Sequence, residues 1–209
     1  DPDFLAWSGA QKKVEEGTDY EEHAAVMELN GSVGPDLSKH FFNPFEIGLG
    51  YCINWNHEFR GKTALAEYAA ERRRGIVTLE WNAEDLADIF ASQFRRDEES
   101  YAQIDYPGSE TAIRGHFVQA VDHVLHAQGN EIGLSIGRTH SVFHRAMLSL
   151  AVLDKEFHEL GGEVFVLWGD PGTRQKRIRA TVSRYPYNQE LANATFDVAE
   201  LPARVGAVS

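Results

Sequence analysis

The sequence predicts a mainly β fold of the α+β class, with an antiparallel β-barrel in its C-terminal half preceded by a mixed α/β linker segment. Three observations predict it. Four apolar runs, Glu131–Ser135, Arg145–Ala151, Glu163–Gly169 and Arg179–Tyr187, follow one another with turn residues between them. Two amphipathic helix patterns, ending at Arg72–Arg74 and Arg95-Arg96, come before these runs, and no internal repeat or low-complexity tract suggests a repeat architecture.

Residues 1–45 carry many charges, weak periodicity and the loop Gly31-Ser32-Val33-Gly34-Pro35, which suits a connecting segment. The stretch from Phe45 to Trp55 is apolar and glycine-rich. Asn56–Gly61 then forms a turn before a helix with Ala64, Leu65, Tyr68 and Ala69 on one face, ending at Arg72-Arg73-Arg74, where positive charge suits the helix dipole. Ile76–Trp81 is a strand by its β-branched and aromatic content, and Asn82 is placed to cap the next helix. That helix, Ala83–Phe94, puts Leu86, Ile89, Phe90 and Phe94 on one stripe, expected to meet the barrel wall. Residues 97–115 are polar with a Pro107-Gly108 turn and are expected to be a mobile surface excursion. His116–His126 fits either a helix or a strand paired with Glu131–Ile136 through the Gln128-Gly129-Asn130 turn. The chain divides near Arg74-Gly75.

Composition narrows the class of partner. A net charge of −12 argues against a general nucleic-acid or anionic-membrane binder, since both are drawn to positive surface. No run reaches the ~18 apolar residues a membrane span needs. The single cysteine, Cys52, has no partner for a disulfide, which points to a reducing compartment and a cytoplasmic location. The start, Asp1-Pro2-Asp3-Phe4, has neither an initiator methionine nor a signal pattern, so the chain is expected to be an excised or processed fragment. Arg72–Arg74, Arg95-Arg96 and Arg174–Arg179 are basic islands that either meet a small anion or form a solvated face.

The usual catalytic patterns are missing. His123 with His126 and His140 with His144 have spacings worth testing for metal, but zinc needs three or four convergent ligands, and no metal site is expected. Ser135 and Ser141 lack a nucleophile elbow. Cys52 reads as a small half-buried hydrophobe. Gly169-Asp170-Pro171-Gly172 lacks the lysine of a phosphate loop and reads as a hairpin turn. The remaining candidate is Glu46–Trp55, whose glycines allow close approach of a flat ligand. Tyr51 and Trp55 could stack on a pterin-like ring and Glu46 could accept from its ring nitrogens, with simple core packing as the alternative.

The order of the runs in Gly129–Tyr187, with Gly161-Gly162 before the third and an aromatic-Pro-aromatic end at Tyr185-Pro186-Tyr187, resembles the C-terminal barrel of the glycine-cleavage T-protein (aminomethyltransferase) family. Phe42–Tyr51 followed by His57–Leu65 is similar to that family's passage joining its folate-binding region to the barrel. Asn30–Val33, and Leu79–Leu86 followed by Ile89–Ser92, look like the branch of tetrahydrofolate-dependent aryl methyl ether O-demethylases acting on vanillate- or syringate-type compounds. The resemblance spans roughly residues 25–200. It implies that residues 1–74 are the end of the folate-binding region and a linker, and that residues 75–209 are the C-terminal β-barrel domain. It further implies tetrahydrofolate as cofactor, a small-molecule methyl donor, and the N-terminal folate-binding domains of the same protein as partners.

Catalysis in this family is positioning plus proton handling, and the family's acid-base residues match no position here, so the chain is not expected to be active alone. The sequence departs from the family pattern at His57 and at Arg138-Thr139-His140. Arg138 is a candidate to reach an anionic ligand from the barrel rim, and an exposed loop arginine is the plainer alternative. Two functions follow: the C-terminal part of a tetrahydrofolate-dependent methyltransferase, its folate contacts drawn from Glu46, Tyr51, Trp55 and Arg138, or a free-standing, non-catalytic β-barrel that binds a ligand or another subunit.

Overall fold

The computed structural model describes residues 27–104 and 117–188. Seven strands form one sheet: β1 (Met27–Asn30), β2 (Arg74–Trp81), β3 (Phe117–Leu125), β4 (Glu131–Ser141), β5 (Ala146–Asp154), β6 (Glu163–Trp168) and β7 (Lys176–Ser183). The order is β1-β3-β4-β5-β2-β7-β6, and a further β3–β6 pairing closes strands β2 to β7 into a six-stranded antiparallel barrel. Two α-helices accompany it among the described residues, α1 (Lys62–Glu71) and α2 (Ala83–Ser92). The predicted fold class is the observed one, and β3 takes the strand alternative of its ambiguous stretch.

Period-two alternation builds the interior. Val77, Leu79 and Trp81 of β2, Ala151 and Leu153 of β5, Val164, Val166 and Trp168 of β6, and Ile178, Ala180 and Val182 of β7 share one buried cluster. Each fully buried aliphatic side chain stabilises the barrel by about 1.5–3 kcal/mol relative to exposure. The polar atoms of Trp81, Ser135 and Ser149 inside are bonded to one another. Trp81 Nε1 donates to Ser149 Oγ at 2.9 Å, and Ser135 Oγ donates to the same oxygen at 2.9 Å.

Closure is shortest between β3 and β6, where two register pairs, Val124 with Val166 and Leu125 with Phe165, are formed. The first half of β3 pairs instead with β1, in parallel. This strand lies in the segment expected to be a plain connector, where its four residues form too short a pattern to read. The loop that follows β1 is fastened at the same place. Ser32 N donates to Asp122 Oδ1 at 2.9 Å, Gly31 N donates to Asp170 Oδ1 at 2.7 Å, and His123 N donates to Ser32 Oγ at 2.8 Å. Gly31 sits at φ +96°, and a Cβ there would lie 2.3 Å from Val121 O, so glycine is required for this approach.

Asn82 caps α2, accepting from the amides of Glu84 and Asp85 at 3.1 Å each. Ile89 and Leu86 enter the core, but Phe90 and Phe94 meet edge to face at 5.5 Å and remain largely exposed, contrary to the four-residue stripe read from the sequence. The short helix meets the barrel along a narrow strip, and the stripe drifts off it. Tyr101, Ala102 and Ile104 pack on the core, and Trp168 Nε1 donates to Ala102 O at 2.8 Å, so the start of the expected surface excursion is anchored. Pro107-Gly108 and residues 1–26 lie outside the described residues. The basic islands are largely occupied by acidic neighbours: Arg95 and Lys176 hold Asp88, Arg174 holds Glu98, and Arg179 holds Asp85. Hydrogen bonds from Lys176 and Arg95 lower the Asp88 carboxyl to about 2.

Candidate functional site

The segment from Asn43 to Phe59 is a series of turns with a short 3-10 helix at Gly50–Cys52. Asn43 starts it by accepting, through Oδ1, from the amides of Phe45 and Glu46 at 3.0 and 3.1 Å. Its inner anchor is Glu46, 2% exposed. Glu46 Oε1 accepts from Arg74 Nε at 2.8 Å and Tyr68 Oη at 2.9 Å, and Oε2 accepts from Asn43 N at 3.0 Å. One carboxylate thus ties the segment to α1 and to the first residue of β2. Burial works to lower the Arg74 pKa, but the adjacent Glu46 charge outweighs it and raises it; burial raises that of Tyr68.

On the outer side of the same segment stand the aromatic candidates. Tyr51 is 82% exposed and Trp55 is 37% exposed. Trp55 stacks on Phe45 with centroids 6.4 Å apart and planes inclined by 21°, and it tilts against Phe59 at 6.0 Å. Gly50 allows this packing, since a Cβ there would lie 2.5 Å from the Phe45 ring. Cys52, read from sequence as half-buried, is exposed, as the last residue of a 3-10 turn that buries none of its side chains.

Arg138 lies elsewhere. It is on strand β4 and not in a rim loop, opposite Ser149, whose neighbour across the next strand is Leu79. Leu79 is five residues along β2 from Arg74, or ~16 Å at the rise of a strand. A bulge between Ile136 and Arg138, with Gly137 at φ +57°, turns Arg138 to the barrel interior, where its guanidinium lies 4.4 Å above the Trp168 ring. Beside it is Asp122, 3% exposed, which pairs in register with Ser135. Burial pushes its carboxyl up to about 6, against the Ser32 amide bond and the Arg138 charge, with Asp170 adding to the rise. Glu46, Tyr51 and Trp55 therefore share one segment, and Arg138 belongs to a separate barrel mouth. The sequence reading missed Arg74 and Tyr68 as partners of Glu46, and missed Asp122. The signal for Asp122 was a carboxylate set in Val121-Asp122-His123-Val124, at an interior position of a strand.

The histidines are dispersed. His123 Nδ1 lies 2.9 Å from Glu131 Oε2, His126 tilts against Phe157 at 5.2 Å, and His144 meets Tyr187 edge to face at 4.9 Å. No group of three or more metal-ligating side chains converges among the described residues.

No protein-family model matches the chain. It is 46% identical over 176 residues, 82% of its length, to a sesamin methylene transferase of Sinomonas sp. (strain No.22). It is 29% identical over 197 residues, 89% of its length, to a syringate O-demethylase of Sphingobium sp. (strain NBRC 103272 / SYK-6). The chain belongs to the T-protein (aminomethyltransferase) family, as a C-terminal part on its O-demethylase side. It spans 39% of the length of each of these two relatives. The solved aminomethyltransferase T of the glycine cleavage system from Bartonella henselae aligns over 70% of this chain and 32% of its own, at 15% identity and a TM-score of 0.43. The Phe42–Leu65 passage that resembles the family's linker is the segment that Glu46 pins to Arg74. No helix among the described residues is long and apolar enough to cross a membrane.

Proposed function

We propose that this chain is the C-terminal part of a tetrahydrofolate-dependent one-carbon transferase. In this reading the whole protein moves a one-carbon unit from a small aromatic ether, or from an aminomethyl donor, to tetrahydrofolate in the cytoplasm. Residues 75–209 form its barrel domain, and residues 1–74 join that barrel to folate-binding domains of the same polypeptide. The observation that carries the reading is the 46% identity to a protein named for methylene transfer, supported by the match to a protein named for O-demethylation. Both names concern one-carbon chemistry, which favours this reading over a free-standing binding module.

Within the chain, fit to a reduced pterin rests on the aromatic faces. Tyr51 is open to a stacking partner, and Trp55 is half-open and braced by Phe45 and Phe59. Both Glu46 oxygens are engaged by protein donors, so its part in the proposed site is to hold those rings in position. Arg138 would act from the barrel mouth, where its charge is shared with Trp168 and Asp122. Bound tetrahydrofolate would supply the nitrogen that accepts the one-carbon unit. The chain's own residues would supply one wall that orients it and excludes water.

Calorimetric titration of tetrahydrofolate into this chain, and into a polypeptide carrying the preceding domains as well, tests the reading. Binding weaker than about 1 mM is expected for the chain and about 1–10 μM for the longer protein. A longer protein that leaves folate untouched would refute the assignment and leave the fold as described.

A further inference from the structure

A cleft of ≈ 410 Å³ opens between the β4–β5 hairpin, the first turn of α2, the end of β2 and the middle of β7. Trp81, Leu86 and Met147 contribute apolar lining, and Arg145 stands where the hairpin enters β5. The other charges of the cleft are accounted for in two ways. Arg179 is held by Asp85 and Asn82, and Glu80 accepts from Tyr187 Oη at 2.8 Å. Glu163 is an exposed carboxylate at the start of β6. Arg145 makes no side-chain hydrogen bond, ion pair or ring contact with any described residue.

The backbone at Arg145 is a second observation. Ser141 pairs with Ala146, so Val142–Arg145 is the hairpin loop, and its last residue sits at φ +53°. Glycine takes such a position without strain, whereas a residue with a Cβ is strained there by about 1–2 kcal/mol. Arg145 is exposed, and its guanidinium, held by no described partner, stands at a strained backbone position beside an apolar lining, where an anion can reach it.

We propose that this cleft binds a small hydrophobic monocarboxylate. Arg145 takes the carboxylate through its planar fork, and the apolar body lies against Leu86 and Met147. The acidic side chains Glu80 and Glu163 in the same lining disfavour a second negative group, which restricts the ligand to a monoanion. The cleft is at the Trp81 end of β2 and the Tyr51–Trp55 segment is tied to its Arg74 end, so the proposal is independent of the folate reading.

Titration of the protein by calorimetry with hexanoate, benzoate, hexan-1-ol and succinate tests it, and the first two distinguish an aliphatic from an aromatic source. Saturable binding of at least one monocarboxylate at about 1–10 mM is expected, with the alcohol and the dianion at least about tenfold weaker. Arg145→Gly should weaken the acid at least about tenfold while its melting temperature stays equal or rises, because glycine removes the loop strain. Equal affinity in Arg145→Gly, or no saturation by either acid up to about 20 mM, would overturn the proposal. Because neither readout uses tetrahydrofolate, a failure here is distinct from a failure of the one-carbon assignment.

Discussion

Replacing Asp122 by asparagine should make the protein more stable at neutral pH and change little in acid. The carboxyl is pushed from 3.8 up to about 6 because the barrel interior disfavours its charge more than Arg138 and the Ser32 amide favour it. A folded-state value above the unfolded one means that the folded chain holds the proton more tightly. The corresponding stability is present in full below pH 3.8 and is lost as pH rises through about 6. Two units correspond to about 3 kcal/mol above pH 6 and about 1 kcal/mol near pH 4.5. The Asp122→Asn variant would retain a side-chain oxygen for Ser32 N without the ionisation. Urea unfolding of Asp122→Asn and the wild type, followed by tryptophan fluorescence, should show a stability difference that grows by about 2 kcal/mol between about pH 4.5 and 7.5. Taking the difference cancels the other titrating groups. A difference independent of pH, or a less stable Asp122→Asn above pH 6, would refute the reasoning and show that the Arg138 attraction outweighs burial.

Two further perturbations probe the segment and the loop. Arg74→Ala would leave the buried Glu46 carboxylate with Tyr68 and an amide as its remaining partners, and a loss of about 3 kcal/mol in a denaturant melt is expected; a loss below about 1 kcal/mol would show that the cluster relaxes into solvent. Gly31→Ala drives a Cβ into Val121 O at 2.3 Å from a left-handed backbone, so hydrogen exchange at Ser32 and Val33 should accelerate at least about tenfold; unchanged exchange would mean that the loop tolerates the shift.

Much of the architecture was legible because it rests on short-range patterns. The runs Val77–Trp81 and Arg179–Ser183 alternate apolar and polar residues, Glu163–Trp168 carries five apolar residues in a row between turns, and Asn82 before Ala83–Ser92 is a cap that needs no distant information. The Asp170–Thr173 turn follows from Pro171 and from Gly172 at φ +86°. Of the candidate ligand contacts, Tyr51 and Trp55 were legible as aromatic groups between glycines. The engagement of Glu46 was not, because its partners lie 22 and 28 residues away.

By itself, then, the sequence determined the runs that become β2 and β4 to β7, where helix α2 begins, and that the chain resembles one-carbon transferases. It gave no sign of β1 and left β3 open between helix and strand. Tertiary structure decided which way the decisive side chains face. Period two assigns residues to a common face, but one extra residue at Gly137 reverses the assignment and sends Arg138 inside. Asp122 is buried in the folded barrel, and a loop 90 residues earlier supplies its hydrogen bond. The physical reason is the same in each case: burial and charge depend on what packs against a residue, and that neighbour is brought by the fold from a distant part of the chain.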